Sequence, residues 1–245
     1  MLPLSHIYVS TKVAKKKTPL LVFGSVLPDI SWTSESEIGR DQIHYAPKKL
    51  YEYIVKNDSG LLDLALGVRL HSNIDKGADY YSDDEKVGFA KIEGKKIDNQ
   101  VASLIGEKKS TKTLVLAHNF IEAGVDLILK RHNPEILKLY RESVDRINLN
   151  EISTSLAGYL DIDKKVVFDE INKFLSFFGP EVYLTEKGLF KNFLILIKQR
   201  LGKSVSEIDL KFVVQEAVEI MKDKYNYYLD NAIKNMRKDF LAGKL

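Results

Sequence analysis

The chain has 245 residues, 44% of them hydrophobic and 29% charged, with a formal net charge of +3. That length buries a full core, and the near-balanced charge excludes the basic excess of a dedicated nucleic-acid binder, so no stable nucleic-acid complex is expected. Cysteine is absent, which excludes disulfides, thiolate nucleophiles and Cys-ligated zinc; any metal must be held by His nitrogen and carboxylate oxygen.

Along the chain, Met1 to Val9 is short, contains Ser5 and His6, and precedes Lys12 and Lys15 to Lys17. It lacks the long apolar run of a signal peptide. No apolar run approaches the roughly 20 residues that a membrane span needs, so a cytoplasmic protein is expected. Leu20–Val26 and Lys91–Lys96 are the only strand-like stretches, the second with Gly94 reading as a loop or hairpin. Leu61, Leu62, Leu64, Ala65, Val68 and Leu70 recur at helical spacing, as do Leu114, Val115, Ala117, Ile121, Val125 and Ile128 within a helix over Thr113–Leu129. Asn133-Pro134 stops that helix, and His132 falls at its C-terminus, where the dipole favours positive charge. Further helices are predicted over Pro134–Ile147, Asp163–Phe178, Leu189–Leu201 and Glu207–Leu241, the last capped by Ser204 or Ser206. There are no repeats or Pro/Gly-rich linkers. The reading is one all-α domain over 1–245, a histidine-bearing metal half (1–132) followed by helical scaffold (133–245).

Two pairs carry the chemistry. His71 and Asp75 are four apart, and so are His118 and Glu122. On a helix such residues share a face, with Cβ atoms about 5–6 Å apart, close enough to reach one metal ion. Leu70, Ile74, Ala117 and Ile121 place both pairs toward the core, where a carboxylate is costly unless paired or metal-bound. Either pair alone also reads as a helix ion pair. Asp29, closing the run from Phe23 through Pro28, reads alone as a turn aspartate, and His44 as a loop histidine. His6 adds a fourth imidazole. Arg69, two residues from His71, points to another face and reads as a surface residue. Nucleotide-binding loops, a Gly-x-Ser-x-Gly elbow and adjacent His-Asp residues are all missing.

The order His6, Gly24-x3-Pro28-Asp29, His44, His71-x3-Asp75, His118-x3-Glu122 resembles the zinc-dependent phospholipase C and single-strand-specific zinc nuclease group, over roughly residues 2–129. Gly67-Val68-Arg69-Leu70-His71-Ser72-Asn73-Ile74-Asp75, with Asp79 four residues on, is also similar to bacterial acyl-carrier-protein phosphodiesterases. The resemblance implies an all-α fold of the phospholipase C type. It also implies a cluster of two or three ions, zinc by preference with manganese or iron as alternatives, held by His6, Asp29, His44, His71, Asp75, His118 and Glu122. Where those families place a histidine ten residues after His71, this chain has Tyr81, and Asp79, Asp83 or Asp84 are the available substitutes. Exported members use their processed N-terminal amine as a ligand; with no signal peptide read here, that contact is not expected.

The implied activity is hydrolysis of a phosphodiester, with Asp75 as bridging carboxylate and Asp29 orienting or deprotonating the attacking water. The alternatives are a non-catalytic metal-binding helical protein, favoured by Tyr81, and a metal phosphomonoesterase. The substrate is phosphoester-containing and otherwise open: phospholipid, nucleic acid, acyl-carrier-protein phosphopantetheine or a small diester.

Overall fold

Helix starts in this chain follow residues that suit them. In the computed structural model, which describes residues 1–32 and 36–245, prolines that need no amide partner begin several helices. The N-terminal half comprises α1 (Pro3–Ala14), α2 (Pro19–Gly24), α3 (Arg40–Ile43), α4 (Pro47–Asn57), α5 (Leu62–His71), α6 (Ala78–Asp83), α7 (Phe89–Gly94) and α8 (Asp98–Ile105). A 3-10 turn, Leu27–Trp32, follows α2. The remainder comprises α9 (Thr111–His132), α10 (Glu135–Arg146), α11 (Leu149–Leu160), α12 (Lys164–Phe178), α13 (Glu186–Leu201), α14 (Glu207–Met221) and α15 (Tyr225–Leu241). Among the described residues there is no strand, and no helix is long and apolar enough to cross a membrane.

The organising element is α9. Ser110 and Thr113 cap its start reciprocally, the Ser110 amide donating to Thr113 Oγ1 at 2.9 Å. Every residue from Leu116 to Leu129 is buried, so its polar residues His118, Asn119, Glu122 and Asp126 lie inside the protein. Helices α14, α7, α1 and α8 pack around it. Beside this core α2 and α5 touch backbone to backbone. A Cβ on Gly24 would sit 2.2 Å from the Leu64 carbonyl oxygen, and one on Gly67 2.5 Å from that of Leu21. Only glycine permits this approach, which brings the chain after α2 against the end of α5.

Several helices, among them α1, α4 and α8, lie outside the stretches named from the sequence, and four other differences have a clear physical reason. Within Leu20–Val26 the residues to Gly24 are helical and Ser25 and Val26 form a turn; Leu21, Val22, Phe23 and Gly24 are all buried, and burial on every face erases the period. Lys91–Lys96 belongs to α7 and its closing turn, with Gly94 close to the backbone of His118. The span after Ile147 holds the unexpected α11, started by the Asn148 side chain, which accepts from the Glu151 amide. Glu207–Leu241 is two helices, with Ser206 capping the first. Met221, Tyr225 and Leu229 keep helical spacing across the break, so the apolar pattern does not mark it.

Candidate metal centre

The polar residues of the centre reach it from six different parts of the chain. His6 lies on the second turn of α1, Asp29 in the 3-10 turn, His44 just after α3 and His71 at the last position of α5. Asp79 and Asp83 lie four apart on α6, and His118 and Glu122 four apart on α9. These atoms gather into three groups whose ligand atoms lie within 4.8 Å of one another: His6, Asp29 and His71; His44, His71 and Asp79; and Asp83, His118 and Glu122.

Asp79 is the hub. Its Oδ1 is 3.1 Å from His6 Nε2, and its Oδ2 is 3.1 Å from His71 Nε2 and 3.0 Å from His44 Nε2. Asp29 Oδ1 stands farther off, 3.7 Å from His71 Nε2 and 3.9 Å from His44 Nε2. The His6 and His71 rings stack at 3.8 Å between centroids. In the third group His118 Nε2 is 2.8 Å from Glu122 Oε1 and 3.1 Å from Asp83 Oδ1, and the Ser82 hydroxyl donates to Glu122. The Met1 amine joins the groups, 2.6 Å from Asp79 Oδ1 and 2.8 Å from Glu122 Oε1.

The first turn of α1 is held by a residue outside these groups. Asp126, one turn beyond Glu122, accepts from the Leu4 amide (2.9 Å), the Ser5 amide (2.8 Å) and the Ser5 hydroxyl (2.5 Å). It caps α1 from another helix, since Leu2 offers no capping side chain. That cap fixes the direction in which Met1 and His6 enter the centre.

The electrostatics are those of clustered carboxylates, Asp29, Asp79 and Glu122 buried and Asp83 partly so, balanced by protons. Burial opposes a charge on the Met1 amine, but Asp79, Glu122 and Asp83 hold its pKa well above the ordinary value. Burial likewise opposes charging His118, yet Glu122 and Asp83 push it up to about 10. Asp79 is held well below the usual range, against its burial, by the amine and His71. Burial raises Asp29, with Asp79 adding to it. His6 is lowered to about 3 by burial, His71 and the amine.

The donor set fits a divalent cation. His71 Nδ1 donates to the Ser25 carbonyl (2.9 Å), which leaves Nε2 as the lone pair, the arrangement metal-binding histidines use. That Nε2, both His6 nitrogens and His44 Nδ1 are buried without a hydrogen-bond partner. Buried nitrogens left so are costly, and lone pairs converging on carboxylates are what a cation satisfies.

Of the sequence-derived residues, His6, Asp29, His44, His71, His118 and Glu122 come together. Asp75 does not, and its assignment as ligand and bridge is corrected. Helix α5 ends at His71, where the Ser72 hydroxyl accepts from the Ile74 and Asp75 amides and starts a turn instead. Asp75 then lies 3.7 Å from Arg69 Nε, and it is Asp79 that stands among the imidazoles. Asp83, one of the substitutes named from the sequence, lies 3.1 Å from His118 Nε2. Tyr81 is half-buried against Tyr80 and does not line the cleft, and Asp84 accepts from the Lys86 and Val87 amides. The Met1 amine, not expected at the site from the sequence, lies beside Asp79 and Glu122. Asp126 was also missed, although His118, Glu122 and Asp126 at successive four-residue steps form a visible polar stripe on an apolar helix.

The centre opens into a cleft of about 420 Å³, with Arg40, Lys91 and Arg200 in its walls beside Asp29, Asp79 and Glu122. Arg40 donates to His44 Nε2 at 2.9 Å. No family model, curated protein or solved structure matches this chain.

Proposed function

We propose that this protein is a metal-dependent phosphoesterase that hydrolyses a phosphodiester, as its resemblance to the zinc-dependent phospholipase C and nuclease group implies. The observation that carries the reading is the convergence of four histidines and four carboxylates around Asp79, at the floor of a cleft with cationic walls. His6, Asp29, His44, His71, Asp79, Asp83, His118 and Glu122 would hold two or three ions, zinc by preference, and the Met1 amine would join them on losing its proton. A bound cation supplies Lewis acidity and a water acidic enough to ionise near neutral pH.

The chain's own groups do the rest. Asp29 stands farther from the imidazoles than Asp79 and faces the cleft, so it accepts the proton from the attacking water. Arg40, Lys91 and Arg200 orient the phosphoryl oxygens, the arginines through paired N–H donors. Water oxygen adds to phosphorus, the ester P–O bond breaks, and the alcohol leaves with a proton, giving a phosphomonoester. The test compares chelator-treated protein before and after adding zinc or manganese. Hydrolysis of bis(4-nitrophenyl) phosphate is expected only with metal; equal rates in both states would overturn the reading. Metal retained at full stoichiometry without turnover would assign a binding role.

A further inference from the structure

A second concavity adjoins the cleft. It is an apolar trough of about 230 Å³ between α9 and α13, floored by Leu116, Phe193, Leu196 and Ile197, with Leu201 toward its far end. It and the cleft share Val115, Asn119 and Arg200 in their walls. Along α9, Thr111, Val115 and Asn119 follow at four-residue steps, and His118 and Glu122 lie at the metal end of the same helix. The trough therefore opens onto the cleft that holds the cluster, and apart from Thr111 and Lys112 on the first turn of α9 its remaining walls are apolar. Arg200 stands at the junction and Arg40 lines the same cleft, so the shared wall carries positive charge where an anionic headgroup would lie. The other cavities with apolar walls, such as that around Phe212 and Val213, share no residue with the cleft.

We propose that this trough seats the one aliphatic chain of a single-chain amphiphilic phosphoester whose phosphate lies at the metal cluster, an inference that rests on the phosphoesterase reading for the position of the phosphate. A concave apolar surface beside a few converging polar groups is the usual form of a small-molecule site. The remaining cleft walls, Arg40, Tyr45, Asn73 and Lys91, are polar or charged, so a second chain finds no matching path.

The test is a series of 4-nitrophenyl alkyl phosphates from methyl to octyl, assayed below their aggregation concentrations with the zinc-loaded protein. Each buried methylene is worth about fourfold, so kcat/KM is expected to climb steeply from methyl to octyl. Leu201→Glu, at a partly exposed position, and Leu196→Phe, which narrows the trough without adding charge, should flatten the series to the level of the methyl ester. Neither should alter turnover of that ester. Decyl phosphate in the presence of chelator supplies a readout free of catalysis. It should raise the unfolding temperature of the wild-type protein more than inorganic phosphate does, and lose that advantage in both variants. A flat alkyl series with active bis(4-nitrophenyl) phosphate hydrolysis overturns the trough and leaves the phosphoesterase standing. Chain-dependent, variant-sensitive binding of decyl phosphate without hydrolysis of any ester does the reverse. Preference for a short two-chain phosphatidylcholine over its single-chain lyso form overturns the single-chain assignment.

Discussion

Asp126 makes a pH-dependent contribution that can be isolated from every other titrating group. Burial raises its carboxyl from 3.8 to about 6, although the Ser5 hydroxyl and the Leu4 and Ser5 amides pull it back. Between those values the folded protein keeps a proton that the unfolded chain has lost. Its stabilisation is therefore complete below pH 3.8 and is lost as pH rises through about 6. A shift of this size corresponds to about 3 kcal/mol. Asp126→Asn replaces it with a side chain that does not titrate. Asn can accept from one of the two α1 amides, and its NH2 faces the other, a cost of roughly 1–3 kcal/mol that does not change with pH. The difference in stability between variant and wild type should thus move by about 3 kcal/mol between pH 4 and pH 7, the wild type gaining toward acid. For a chain of this length that corresponds to roughly 6–12 °C in relative unfolding temperature. The assay is thermal unfolding of both proteins in chelator at half-unit pH steps, where taking the difference cancels the remaining groups. A melting-temperature difference that stays constant from pH 4 to 7 refutes the reasoning.

Three further outcomes separate this site from its alternatives. Asp79→Asn should lose bound zinc by elemental analysis while Asp75→Asn keeps it, because only Asp79 faces the imidazoles and Asp75 faces Arg69; equal metal content in the two variants would put the hub elsewhere. Two residues added before Met1 should cut metal affinity at least tenfold by equilibrium dialysis, since that amine is fully buried between Asp79 and Glu122; unchanged affinity removes the amine from the centre. His71→Ala and His118→Ala should each lower metal stoichiometry and abolish phosphodiesterase activity while retaining the wild-type helical circular dichroism at low temperature, and full metal content in either variant counts against the ligand set.

The sequence exposed the site where a polar residue interrupts an apolar helix. His118 and Glu122 are legible because α9 continues unbroken through both, so spacing translates directly into a shared face. The same rule fails at His71 and Asp75, because it assumes a helix that Ser72 ends by offering its hydroxyl to the next turn. Asp79 and Asp83 sit on a helix of only six residues, too short for a period to show. The all-helical class was legible from long amphipathic stretches, whereas α2 was not, since a fully buried segment has no polar face to mark its period. The Met1 amine could not be read from side-chain chemistry at all: it is a backbone group, placed by the cap that Asp126 lends to α1.

That borrowed cap also orders events during synthesis. The amides of Leu4 and Ser5 find their acceptor 122 and 121 residues downstream. At about 5–20 residues per second, a ribosome takes roughly 6–25 s to make the intervening chain. Until then α1 has an uncapped start and an apolar face without its α9 partner, so in isolation it is a marginal helix. The structure thus makes the N-terminal helix an early-made, late-docking element, and long-range closure of this kind slows folding. The candidate metal centre, whose residues run from His6 to Glu122 with the Met1 amine beside them, is assembled only when that closure occurs.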